Sequence, residues 1–214
     1  MIYVYSAMFG DYDEVLPPPK DPKVEYLMFS DKKHDGWKTI VVPAPKDPRR
    51  YSRFFKINSH LLPRHDVSIW VDSCLHLSKS LLPLVDSLKG DLGLIKHPRD
   101  KCVYEHAQRC RTLVLDSTTL IDYQMGRYLT DGMPKNFGLT ENCVIIRKNT
   151  EQIKLLNEMW YKLYMEYSQR DQLSLPYVLW RTGIKYDLLP IDSRENEYYS
   201  NWGNHLKSNK YINE

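Results

Sequence analysis

Short apolar runs separated by turn residues dominate the 214-residue chain. IYVYSAM (2–8), VEYLMFS (24–30), KTIVVP (38–43), VSIWVD (67–72), LGLIKH (92–97), NCVIIRK (142–148) and KYDLLPI (185–191) are each of strand length. Between them the spacing turns helical. Phe54, Phe55, Ile57, Leu61 and Leu62 predict a helix over roughly 51–62, and a second falls at 78–89. Asp116 is the N-cap candidate for a third, running to about Leu129 with Gly132 as its stop. The clearest helix begins near Thr150, where Ile153, Leu156, Trp160, Leu163, Tyr164 and Tyr167 recur at three- and four-residue steps. A last helix over about 170–182 ends at Gly183, with Pro176 forcing a late start or a kink.

Strands alternating with helices predict an α/β domain with helices on both faces of a sheet. No repeat, low-complexity tract or linker divides the chain, and LPPPKDP (16–22) and PAPKDP (43–48) read as stiff surface loops. One domain over 1–214 is expected, long enough to bury a substantial core.

Composition narrows the classes. With 42% hydrophobic and 27% charged residues, an ordinary globular protein rather than a disordered one is expected. No run of about 18 apolar residues exists, and MIYVYSAMFG lacks the features of a signal peptide. A cytoplasmic protein without a membrane span is the expectation, unless the chain is cut from a longer multidomain parent. Cys74, Cys102, Cys110 and Cys143 form no C-x-x-C pair, so free, mostly buried thiols are expected rather than a zinc knuckle or a disulfide framework. The net charge of +3 is spread along the chain, which argues against nucleic acid as a partner.

Ligands of open α/β sheets bind outside the carboxyl ends of the strands. There the chain places FGDYD (9–13), FSD (29–31), VDSC (71–74) and KHPRD (96–100), in which carboxylates recur beside basic residues. Such a set suits a divalent cation bridging a diphosphate, because the ion cancels charge the acids alone would repel.

YSAMFGDYDEV, YLMFSD, RFFKINSHLLPRHDVSIWVDSCLHL, KHPRDKCVYEHA and RDQLSLPYVLW, taken in order, resemble a family of GT-A-type glycosyltransferase domains. That family includes plant cell-wall transferase-like proteins and a chlorella-virus domain that builds capsid glycans. The likeness spans nearly the whole chain, and SIWVD and RDQLSLPYVLW are its most specific pieces. It implies a GT-A-like fold with a mostly parallel mixed sheet, a nucleotide-binding part over about 1–100 and an acceptor and catalytic part over about 101–214.

The resemblance also implies roles. Phe9, Gly10, Asp11 and Tyr12 approach the nucleotide, Asp31 bonds the uracil or ribose, and Arg53 and Lys56 face the phosphates; a solvated helix face is the other reading of that basic pair. Asp72 takes the first acidic position of the metal motif, with Ser73 beside it, or else caps the following turn. Cys74 stands where the stricter Asp-x-Asp pattern has its second acid, and a soft thiolate suits a hard cation poorly. His205 is the candidate second metal ligand. Asp171 takes the place of the general base, His97 and Arg99 reach the donor, and Glu141 bonds an acceptor hydroxyl. Tyr198, Tyr199 and Trp202 are either a lid or a packed tail. The implied activity is transfer of a hexose or deoxyhexose from a UDP-sugar to a hydroxyl of a glycan or glycoprotein, viral capsid glycoprotein included, dependent on Mn2+ or Mg2+. Inversion is favoured and retention stays open. A nucleotide- or carbohydrate-binding module without turnover is the alternative.

Overall fold

A computed structural model describes residues 1–201. The apolar runs become β1 (Ile2–Met8), β2 (Val24–Ser30) and β3 (Lys38–Val41). Helix α1 (Pro48–Ile57) follows, then β4 (Val67–Val71), a short β5 (Leu75–Leu77), α2 (Leu82–Asp86) and β6 (Leu92–Lys96). Next come α3 (Val103–Thr112), α4 (Thr118–Thr130), β7 (Thr140–Lys148), α5 (Glu151–Glu166) and α6 (Asp171–Thr182), followed by β8 (Asp187–Leu188) and β9 (Tyr199–Asn201).

The main sheet has the order β3-β2-β1-β4-β7-β6-β8, and only β7 runs antiparallel to its neighbours. The expected α/β domain with a mostly parallel mixed sheet is thus the observed one. One face is covered by α1, α5 and α6, where Tyr5, Trp70, Ile145, Trp160 and Tyr164 are buried together. The opposite face packs against Leu81, Leu84 and Tyr199, from around α2 and from β9. A third cluster joins α3 and α4 to Leu173 of α6. Between β6 and β7 the register slips: Leu94 pairs with Ile145, but Ile95 pairs with Glu141. Cys143 and Val144, adjacent in the chain, both pack on the second face, whereas Ile145 packs on the first.

Several boundaries differ from the sequence reading. Helix α1 begins earlier, because Asp47 accepts from Arg50 N as N-cap and Pro48 takes the first helical position, where its missing N–H costs nothing. It also stops sooner, since Asn58 caps it through Phe54 O. The predicted 78–89 helix shrinks to α2, and the 185–191 strand to the two residues of β8. Ser117, not Asp116, caps α4; Asp116 instead accepts from Ser168 Oγ and Gln169 N and pins the loop before α6. Helix α6 has no late start, for it runs through Pro176 from Asp171 and closes on Gly183 at φ 67. All four cysteines are free, and three are buried. Among the described residues, no helix is long and apolar enough to cross a membrane.

Candidate active site

The carboxyl ends of β1, β2 and β4 lie on one edge of the sheet, since these strands are parallel neighbours in register. Asp31 and Asp72 therefore share that edge, about 10 Å apart across two strand spacings. The loops between them are tied together. Gly10, at φ 69, donates its N–H to Asp31 Oδ2 at 3.1 Å, and Lys32 pairs with Asp11. Ser73 Oγ donates to Asp13 Oδ2 at 2.6 Å, joining the β1 and β4 loops. The Phe9 ring lies in the core against Tyr51 and Phe55, so its side chain serves packing rather than the nucleotide.

The centre of the site is a chain of charges. Lys56 Nζ lies 3.0 Å from Asp72 Oδ1 and 2.9 Å from Asp171 Oδ2, and Arg53 Nε lies 3.4 Å from Asp171 Oδ1. Trp70 Nε1 donates to Asp72 Oδ1 at 2.7 Å. Asn142, entering from β7, reaches Asp171 Oδ2 at 3.5 Å. Asp171 is the first residue of α6, not its N-cap, a place Arg170 takes without a side-chain bond.

Lys56 is correspondingly misread by sequence. Its side chain is only 2% exposed and its ammonium is consumed by two carboxylates, so neither a solvated face nor an open phosphate ligand describes it. Arg53, with 23% of its side chain exposed, is the member of the pair that still meets solvent. Burial favours a neutral Asp171, but Lys56, Arg53 and Arg170 outweigh it and hold the carboxyl well below the usual carboxylate range. An acid so stabilised is a weak base until some of that positive charge is drawn elsewhere.

On the far side of Asn142, His97 Nε2 stands 3.6 Å from Glu141 Oε2, so these two predicted residues do meet. Arg99 is exposed, and its backbone N–H bonds His97 Nδ1. His97, Asp100 and His106 bring three potential ligand atoms within 4.8 Å of one another. They fit a metal poorly. Backbone N–H groups of Arg99 and Asp100 both donate to His97 Nδ1, which leaves the ring proton on Nε2 and no lone pair there. Asp100 is already gripped by Arg109 through three bonds and accepts from His106 Nδ1 at 2.8 Å. Burial, with His106 adding to it, pulls His97 down to about 4, so it is neutral near pH 7 and offers a hydrogen bond, not a charge, to a ligand.

Cys74 suits a hard cation poorly as well. Burial, then Asp72 and Asp13, push its thiol well above its ordinary value. Among the described residues Asp72 Oδ2 carries no hydrogen bond, and the Lys56 ammonium beside Oδ1 marks the spot as cation-seeking. The oxygen chemistry thus fits a hard divalent ion at one protein ligand. His205 and Trp202 lie outside the described residues. Tyr199 is buried and pairs with β5 through Leu77, as a packed segment rather than an open lid. Sequence reading missed Trp70 and Asn142 as partners of the two acids; only the Trp-x-Asp step at the end of β4 signalled one of them.

Residues 23–195 match the model of the TOD1/MUCI70 glycosyltransferase-like domain. The chain belongs to that family. Within the TOD1/MUCI70 family, the probable hexosyltransferase MUCI70 of Arabidopsis thaliana is 22% identical over 213 residues, covering 83% of this chain and 37% of that protein. The chain therefore spans little more than a third of that relative's length. Solved structures similar to this TOD1/MUCI70 domain include the galactosyltransferase LgtC in complex with donor and acceptor sugar analogs, at 15% identity and TM-score 0.44, over 84% of this chain and 69% of that one. Mouse xyloside xylosyltransferase 1 in its apo form aligns at 10% identity and TM-score 0.47, over 88% and 85% of the two chains.

Proposed function

We propose that this domain transfers a hexose or deoxyhexose from a UDP-sugar to a hydroxyl of a glycan or glycoprotein, with inversion, in a reaction dependent on Mn2+ or Mg2+. The observation that carries it is the Asp72–Lys56–Asp171 bridge at the carboxyl edge of the sheet, which joins acids from distant segments around a cation. Asp31 and the Gly10–Tyr12 loop would receive the nucleoside, and Asp72, with His205, would hold the metal. Once bound, the ion supplies neutralisation of the departing diphosphate. Arg53 turns toward the phosphates as they arrive, which removes one of the two cations paired directly with Asp171 and raises its basicity. Asp171 then accepts the proton of the acceptor hydroxyl as that oxygen attacks in line. His97 and Glu141 line the sugar side, one as donor and the other as acceptor of hydrogen bonds.

Thermal shift with UDP, GDP and CMP, each with and without Mn2+, tests this reading. A shift with UDP that requires Mn2+ supports it, and equal responses to all three overturn it. The deep ion pairing of Asp171 favours one second reading, a binding module without turnover. Metal-dependent UDP binding with neither transfer nor donor hydrolysis would select it.

A further inference from the structure

Arg147 is 1% exposed, yet among the described residues no carboxylate pairs with it. Its Nη1 donates to Ile57 O and to Asn157 Oδ1, both at 3.0 Å. Its Nη2 donates to Lys56 O at 2.7 Å and to Tyr5 Oη at 2.5 Å. A buried guanidinium without an anion is costly, and an apolar side chain would fill the space without that cost. Its planar fork, however, matches two successive carbonyls at the end of α1, which have no helical partner of their own. They also form the negative end of the helix dipole. Tyr5 Oη adds a second donor to Lys56 O at 3.2 Å, and Asn157 Nδ2 continues to Ser59 Oγ at 3.1 Å. The last turn of α1 is therefore clamped from β1, β7 and α5 at once.

Lys56 belongs to that turn. A lysine stem is long and flexible, so the place of its ammonium depends on where the backbone launches it. We infer that Arg147 is a positioning residue for the candidate centre: by holding the Lys56 and Ile57 carbonyls it sets the rotation of the last turn of α1 and keeps Lys56 between Asp72 and Asp171. The consequence for turnover rests on the proposed function, but the placement itself does not.

Three variants separate the cases. Arg147→Lys keeps a charge and loses the fork, Arg147→Met loses both, and Tyr5→Phe removes one hydroxyl from the clamp. Carbon-13 NMR of aspartate carboxyls between pH 3 and 8, with Asp171 assigned through Asp171→Asn, is the first readout. The wild type is expected to show no titration of Asp171 in this range. Arg147→Met is expected to bring that titration up into this range, with Arg147→Lys and Tyr5→Phe shifted less. The second readout is kcat for donor turnover well below Tm, expected to fall tenfold or more in Arg147→Met with KM little changed. A lower Tm with the Asp171 signal unmoved in the variants that fold overturns the inference. If the wild type turns over no donor, the proposed function falls while the carboxyl signal still decides the role of Arg147.

Discussion

Lys56 sits against Asp171 at 2.9 Å with its side chain almost fully enclosed, and the same ammonium reaches Asp72 on its other side. Two acids share one buried cation, so neither can be altered without changing the field at the other.

Lys56→Met leaves both acids without that cation, and the variant is expected to lose about 3 kcal/mol, the range for breaking a buried ion pair. The pH dependence follows from the depressed carboxyl of Asp171. Its contribution is fully present above the unfolded value near 4 and is lost as pH falls below it. Urea unfolding at pH 7 and pH 2.5 should show a smaller difference between variant and wild type at the lower pH.

Asp171→Asn preserves shape and removes the base. Transfer should fall by about 10²- to 10⁴-fold, the usual weight of a general base, with UDP affinity within about threefold of wild type. Asp72→Ala should weaken both Mn2+-dependent UDP binding and transfer. Wild-type rates from Asp171→Asn would remove that residue from the chemistry.

Cys74→Ala is expected to leave metal-dependent UDP binding unchanged, because the thiol is held protonated by burial and by neighbouring acids. In wild type, iodoacetamide at pH 8 should modify Cys74 far more slowly than a free thiol, as read by mass spectrometry.

His97 is lowered to about 4 in the fold, so the native state prefers it neutral. That preference stabilises above the unfolded value near 6.5 and is lost as pH falls from there toward 4, a loss on the order of 3 kcal/mol. Urea midpoints at pH 7.5 and 4.5 should reveal it, and His97→Gln should flatten the difference.

Much of the frame was legible in the chain. Ile69, Trp70 and Val71 followed at once by Asp72 mark a buried strand ending in an acid, and the stripe from Ile153 to Tyr164 marks α5, because both patterns are local. The start of α1 was obscured by Pro48, which reads as loop unless Asp47 before it is seen as a cap. Strands β5 and β9 pair residues more than a hundred positions apart in three-residue segments, too short for periodicity to register. The burial of Lys56 was invisible for a different reason: charge predicts exposure, and only the convergence of Asp72 and Asp171 from remote segments overrides it.

Strand residues of opposite parity point to opposite sides, so an evenly counted β7 would separate Asn142 from Arg147. The two consecutive residues Cys143 and Val144 on the second face restore a common side, letting the beginning of the strand touch Asp171 while its end grips α1. Deleting one residue at this step would leave the apolar sequence nearly intact yet swing Thr140–Asn142 away from the centre. A homologue shortened by one at this step should keep its core and lose its chemistry.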